Sequence, residues 1–136
     1  ITETGAGKAV DKAIPGLGQK LTSNAIRVPV SNGSLAILKL NLTKETSIEK
    51  INAAIKDAAF KGDLVEQIKY SVSQELVSSD IVGDSCCSIV DSEATILHSD
   101  KKSAVLYVWY DNEYGYTRQV MRLAKHLVGV RRRAYF

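Results

Sequence analysis

The spacing of apolar positions changes several times along the chain, and each change marks an element. Ala6, Ala9, Val10, Ala13 and Ile14 fall near helical spacing and stop at Pro15-Gly16. Proline disfavours helical geometry in the residue before it and glycine permits the reversal, so a short helix ends there. Ala25 to Pro29 is a short apolar run, and Leu35 to Leu42 alternates. With Ser31-Asn32-Gly33-Ser34 between them, the pattern predicts two strands joined by a tight hairpin, because Asn and Gly tolerate the positive φ of a primed turn. Thr46 or Ser47 can cap a helix whose stripe is Ile48, Ile51, Ala54, Ile55, Ala58 and Ala59, and Gly62 ends it. Leu64, Val65, Ile68 and Tyr70 suit a turn of helix leading into a strand. Three β-like runs follow, around Ser88 to Val90, at Ala94 to His98 and at Ala104 to Tyr110, with Ser99-Asp100-Lys101-Lys102 turning between the last two. Tyr116, Val120, Leu123, Ala124, Leu127 and Val128 return to helical spacing, which predicts a helix from about Tyr114 to Val128.

Neighbouring strands with few helices between them predict an α+β domain whose mainly antiparallel sheet has helices covering one face. The length, 136 residues with 45% hydrophobic and 24% charged, suits a single core. No apolar run approaches the roughly 18 residues that a membrane span needs, so no membrane association is expected. The chain opens on Ile1 without a readable secretory signal and reads as cut at its beginning. Two cysteines, adjacent in sequence, do not make a disulfide framework and favour a reduced, cytoplasmic setting. The net charge of +3 is carried partly by Arg131, Arg132 and Arg133 at the end, which reads as an end effect and not as a nucleic-acid surface.

Few residues suggest chemistry unaided. Cys86 and Cys87 lie beside a strand-like run, where a buried thiol is the more ordinary state. His98 stands beside a turn and His126 in the last helix, and neither they nor the cysteines have metal-ligand spacing, so no metal is expected. The glycines of Thr4-Gly5-Ala6-Gly7-Lys8 precede a helix, where backbone amides can hold an anion, although the P-loop spacing is missing. Arg27 sits in an apolar run and calls for an anionic partner or a place at a strand edge. In Trp109-Tyr110-Asp111-Asn112-Glu113-Tyr114-Gly115-Tyr116 a strand ends in amide, carboxylate and phenol groups and turns into a helix. Such a segment presents ligand-binding groups, or else it is an N-cap at Asp111 or Asn112 with tyrosines at an interface.

The chain resembles the C-terminal part of phosphorylating glyceraldehyde-3-phosphate dehydrogenase. Thr4-Gly5-Ala6, Lys20-Leu21-Thr22, Asn24-Ala25-Ile26-Arg27-Val28-Pro29, Val77-Ser78-Ser79-Asp80 and WYDNEYGY at 109 to 116 follow the family's order over nearly the whole chain. The opening and the Asn24-Ala25-Ile26 variant are most similar to a long bacterial form. The resemblance implies a C-terminal catalytic, substrate- and phosphate-binding domain over 1–136, truncated at its N-terminal side, with the dinucleotide-binding domain outside the chain. It also implies an NAD-dependent oxidoreductase of glycolysis and gluconeogenesis, homotetrameric when intact. That enzyme oxidises glyceraldehyde 3-phosphate to 1,3-bisphosphoglycerate with NAD and inorganic phosphate through a cysteine thioester, and NADP stays open as the cofactor.

Carried over by position, Thr4 and Gly5 match the attacking-phosphate site, Arg27 the arginine that contacts phosphate, Asn112 the asparagine that holds the nicotinamide carboxamide, and Tyr116 the aromatic beside the nicotinamide. Glu113 is expected to support the turn. The family's Ser-Cys-Thr-Thr-Asn nucleophile segment does not occur in these residues, and neither histidine matches the family base. The resemblance therefore implies no catalytic nucleophile or base in this chain, and the fragment by itself is expected to be inactive. The alternative is a free-standing α+β oligomerisation or interaction module that has lost the chemistry, using the aromatic strand Ala104 to Tyr110 as an intersubunit surface.

Overall fold

The computed structural model describes residues 1–130; the arginines at 131–133 lie outside the described residues. The chain divides into two compact units, one of Ile1–Ser31 and one from Asn32 onward.

In the first unit, α1 spans Ala6–Ala13. The next turn folds around Asp11, whose Oδ1 accepts the amides of Gly16 at 3.1 Å and Gly18 at 2.8 Å. Gly16 has φ +84°, a left-handed conformation that a side chain would strain. A 3-10 turn over Gly18–Lys20 comes after it. The strand expected over Ala25 to Pro29 does not form, and neither does its hairpin. Ala25 only makes an isolated antiparallel bridge with Thr2. Pro29 has no N–H to give a ladder, and the run at 35–42 finds a longer partner elsewhere.

In the second unit that partner is the aromatic strand. β1 (Ser34–Asn41) pairs antiparallel with β4 (Ser103–Tyr110) over its whole length, from Ser34 opposite Tyr110 to Asn41 opposite Ser103. The sheet order is β1-β4-β3-β2. β3 (Ser88–Leu97) runs antiparallel to β4, whereas β2 (Ile68–Ser71) runs parallel to β3. The sheet is therefore mixed, with two of its three pairings antiparallel.

The separate runs expected at 88–90 and 94–98 are one strand. Its register shifts between Asp91 and Ile96, so the polar Asp91-Ser92-Glu93 that reads as a break is an irregularity within β3. Asn52 satisfies it from α2 (Ile48–Phe60), donating from Nδ2 to the Ser92 carbonyl at 3.2 Å and accepting at Oδ1 from the Thr95 hydroxyl at 3.1 Å. Ser47 caps α2 by accepting the Lys50 amide, and Gly62 leaves the helix with φ +80°. A 3-10 turn at Gly62–Leu64 then leads into β2, as the apolar pattern suggests.

A short helix, α3 (Ser78–Ile81), has no signature in the apolar pattern. The Asp80 carboxylate accepts the Val77 amide at 3.0 Å and so holds its start, and Ile81 is buried with Ile89, Val90, Ala104, Leu106 and Ala59 in the core. α4 spans Tyr114–Leu127. Because β4 lies between β1 and β3, its residues are buried or half-buried throughout. That strand is paired along both of its edges, so any surface it offers is a face of the sheet and not a free edge.

Candidate functional site

The best-built part of the molecule is the turn from β4 into α4. Asp111 is only 2% exposed. Its Oδ1 accepts the amides of Glu113 at 2.9 Å and Tyr114 at 2.8 Å, and its Oδ2 accepts that of Gly83 at 2.9 Å. The Gly83 amide first, then those of Tyr114 and Glu113, hold the carboxyl down to about 2, against the opposing effect of burial. Asp111 thus caps α4 from three residues before Tyr114, and the residue at the N-cap position, Glu113, makes no side-chain cap. The Glu113 carbonyl accepts the Thr117 hydroxyl at 2.8 Å in the first turn of α4.

With Asp111 anchored, the backbone of the next residues is fixed too. Asn112 is exposed, and its Oδ1 accepts the hydroxyl of Ser34 at 3.3 Å. Tyr116, in the first turn of α4, is 69% exposed. Gly115 between them is buried, and a Cβ there would stand 3.3 Å from the Cys86 carbonyl oxygen. The start of α4 therefore lies against the Cys86-Cys87 backbone at a distance that suits glycine.

The second set of candidates is in the first unit. The Thr4 hydroxyl accepts the Ala6 amide at 3.2 Å, and Gly5 is the N-cap of α1 with an ordinary φ of −76°. Nothing approaches the Cβ position of Gly5 within 4 Å, so neither conformation nor packing demands glycine there. Arg27 is exposed. The expected anionic partner is not seen among the described residues, and it is not needed, because the guanidinium is solvated and not buried. Thr4 and Gly5 are thus adjacent at one helix start, Asn112 and Tyr116 share one turn, and the two sets belong to different units.

The remaining candidates stay structural. Cys86 and Cys87 are free and half-buried. Burial, and then the negative charge of Asp84, push the Cys86 thiol up, while the Cys87 thiol donates to the Gln67 carbonyl at 3.4 Å. His98 is exposed at the β3–β4 turn, 3.7 Å from Asp100, and His126 is exposed in the last turn of α4. No cluster of three or more His, Cys, Asp or Glu that could hold a metal occurs among the described residues. No helix among them is long and apolar enough to cross a membrane. A cavity of about 510 Å³ lies beside β2, lined in part by Lys69, Ser71, Ile81 and Asp84, and contains none of the candidate residues.

Two groups at the site carry no signal in the sequence. Ser34 reads as a turn residue and becomes a partner of Asn112 only through the β1–β4 register. Nothing about Gly83 announces that its amide would meet a carboxylate 28 positions away.

Residues 2–112 match the protein family described as glyceraldehyde 3-phosphate dehydrogenase, C-terminal domain. The chain is 52% identical over 130 residues to a glyceraldehyde-3-phosphate dehydrogenase-like protein of Pseudomonas aeruginosa, covering 96% of this chain and 28% of that protein. It is 43% identical over 130 residues to the cytosolic glyceraldehyde-3-phosphate dehydrogenase of Craterostigma plantagineum, covering 96% of this chain and 38% of that protein. To a chloroplastic glyceraldehyde-3-phosphate dehydrogenase of Arabidopsis thaliana it is 45% identical over 126 residues, covering 93% of this chain and 29% of that protein. The chain thus spans between 28% and 38% of the length of these relatives.

Proposed function

The chain belongs to the glyceraldehyde 3-phosphate dehydrogenase family through its C-terminal domain, and from that premise we propose that it is the C-terminal catalytic part of a longer dehydrogenase. In this reading the whole protein oxidises glyceraldehyde 3-phosphate to 1,3-bisphosphoglycerate with inorganic phosphate and NAD or NADP, and works as a cytoplasmic homotetramer. The observation that carries it is the anchored turn after β4, where a buried, triply bonded Asp111 presents the exposed side chain of Asn112.

The residues present fit a nicotinamide cofactor. The Oδ1 of Asn112 accepts from Ser34, and its amide nitrogen is a donor suited to a carboxamide oxygen. Tyr116 offers an exposed ring in the adjoining helical turn. When bound, the cofactor supplies the hydride acceptor. The task of Asn112 is to fix the rotation of the carboxamide, and hence which ring face meets the substrate.

Thr4 and Gly5 take the attacking phosphate. The dipole of α1 favours an anion at its start, the Thr4 hydroxyl can donate outward while accepting from Ala6, and the space beside Gly5 is open. Arg27 takes a phosphate group of the substrate through its planar fork of donors, which is matched to such oxygens. Its exposure and lack of a carboxylate partner among the described residues leave that fork available. The nucleophile and base are supplied by residues outside these 136.

The test is NADH formation by the complete polypeptide that contains these residues, assayed with glyceraldehyde 3-phosphate with and without inorganic phosphate. Turnover that depends on phosphate is expected, and Thr4→Val should raise KM for phosphate while leaving the affinity for NAD unchanged. Phosphate-independent turnover, or none, would overturn the reading.

A further inference from the structure

We propose that Ser34 is a positioning residue for Asn112: its hydroxyl, bonded to Oδ1, holds the rotation of the Asn112 side-chain amide that a ligand meets. The inference rests on the reading of Asn112 as the carboxamide-binding residue and adds to it a group that acts through Asn112 without touching the cofactor.

An exposed asparagine side chain rotates freely unless something holds it, and its two ends are chemically opposite, one accepting and one donating. The backbone of Asn112 is held by its neighbour Asp111, but that anchor leaves the Asn112 side chain undetermined. Among the described residues, the side-chain hydrogen bond of Asn112 runs from the Ser34 Oγ to its Oδ1 at 3.3 Å, across 78 positions of sequence.

The place of Ser34 is fixed independently. It is the first residue of β1 and lies directly opposite Tyr110, the last residue of β4, two positions before Asn112. The preceding Gly33 has φ +90°, and a Cβ there would come within 3.1 Å of the Ser78 carbonyl oxygen at the start of α3, so the entry into β1 is confined as well. Ser34 is half-buried, and its hydroxyl is delivered by a strand and not by a mobile loop. A site held by a rigid element and a supporting hydrogen bond is more exact than one carried by a turn alone.

The experiment compares Ser34→Ala, Ser34→Thr and Asn112→Ala in the complete polypeptide. It reads NAD affinity by calorimetry, the side-chain amide resonances of Asn112 in the cofactor-free protein, and KM for NAD against KM for phosphate. A neutral hydrogen bond of this kind corresponds to about 2- to 10-fold in affinity. Ser34→Ala is expected to weaken NAD binding by that factor, to shift or broaden the Asn112 amide resonances without cofactor, and to leave KM for phosphate unchanged. Ser34→Thr keeps the hydroxyl on a residue suited to a strand and should restore both affinity and resonances. If Asn112→Ala weakens NAD binding but Ser34→Ala changes neither affinity nor resonances, the positioning role is overturned and the reading of Asn112 stands. If Asn112→Ala leaves NAD affinity unchanged, that reading falls and the role of Ser34 falls with it.

Discussion

The carboxylate of Asp111 accepts the backbone amide of Gly83 at 2.9 Å and so ties the end of β4 to the loop after α3. The other oxygen of the same carboxylate takes two amides at the start of α4. Asp111→Asn keeps the shape but replaces one acceptor oxygen by a donor facing an N–H. We expect this change to lower the melting temperature of the protein by about 5–10 °C, as losing a buried hydrogen-bond acceptor in a small domain does. An unchanged melting curve would show that the tie contributes nothing.

The same carboxylate predicts an acid limb. Asp111 is held down to about 2 by the amides of Gly83, Tyr114 and Glu113, and Asp100 to about 2 by the Lys102 amide and the Ser103 hydroxyl and amide. An unfolded aspartate titrates near 3.9, so between about pH 4 and 2 the folded state holds fewer protons than the unfolded one. The stability from these groups is fully present above about pH 4 and is lost as pH falls through about 2. Thermal melts across that window should drop in the native protein and drop less steeply in Asp111→Asn.

Arg27→Lys tests the substrate-phosphate role without disturbing the fold. Because Arg27 is exposed and unpaired among the described residues, the melting temperature should not move. Replacing a planar fork by a point charge removes a bidentate contact, and KM for the phosphorylated aldehyde in the complete polypeptide should rise about 10-fold or more. Equal KM values would remove Arg27 from the site.

Cys86 should react slowly. Its thiol is pushed up by burial and by Asp84, and the thiolate is the reactive form. In a Cys87→Ala background at mildly alkaline pH, iodoacetamide should label Cys86 more slowly in the folded protein than in urea. Faster labelling in the folded state would contradict this and reopen Cys86 as a nucleophile.

Gly115→Val should unfold the start of α4. The added Cβ alone would stand 3.3 Å from the Cys86 carbonyl oxygen and 3.6 Å from the Cys87 Cα, and a branched side chain extends further toward that backbone. Overpacking of this kind costs about 1–3 kcal/mol. Circular dichroism and a melt would reveal it, and a native-like melting temperature would mean that the Cys86-Cys87 segment yields.

Much of this architecture is legible in the chain because local signals there agree with tertiary ones. Ser47 and Gly62 bracket α2, the Ser99–Lys102 turn joins β3 to β4, and α4 starts and stops within a residue of its predicted ends. Where the reading fails, a distant segment competes with a near one. The run at 25–29 loses β1 to β4, which offers a full-length ladder and the large side chains of Tyr107 and Trp109. The polar break in β3 hides a continuous strand because Asn52, on α2, satisfies it. At the candidate site, sequence points to the residues that face outward, Thr4, Gly5, Arg27, Asn112 and Tyr116. It does not reveal Ser34, because serine at a turn is ordinary until a register places it beside an amide.

The pairing of β1 with β4 also bears on how the protein is made. Ser34 leaves the ribosome 78 residues before Asn112, which at about 5–20 residues per second is a wait of several seconds or more. During that wait β1 exposes Leu35, Ile37 and Leu38, which are still 38%, 61% and 40% exposed after folding, and it has no strand to receive its backbone groups. β3 is synthesised in between but pairs with β2 and β4 and not with β1, so the sheet cannot grow outward from its first strand and closes only when β4, the inner strand beside β1, arrives last. Nascent chains stalled between residues 42 and 102 should therefore be the ones most in need of a chaperone.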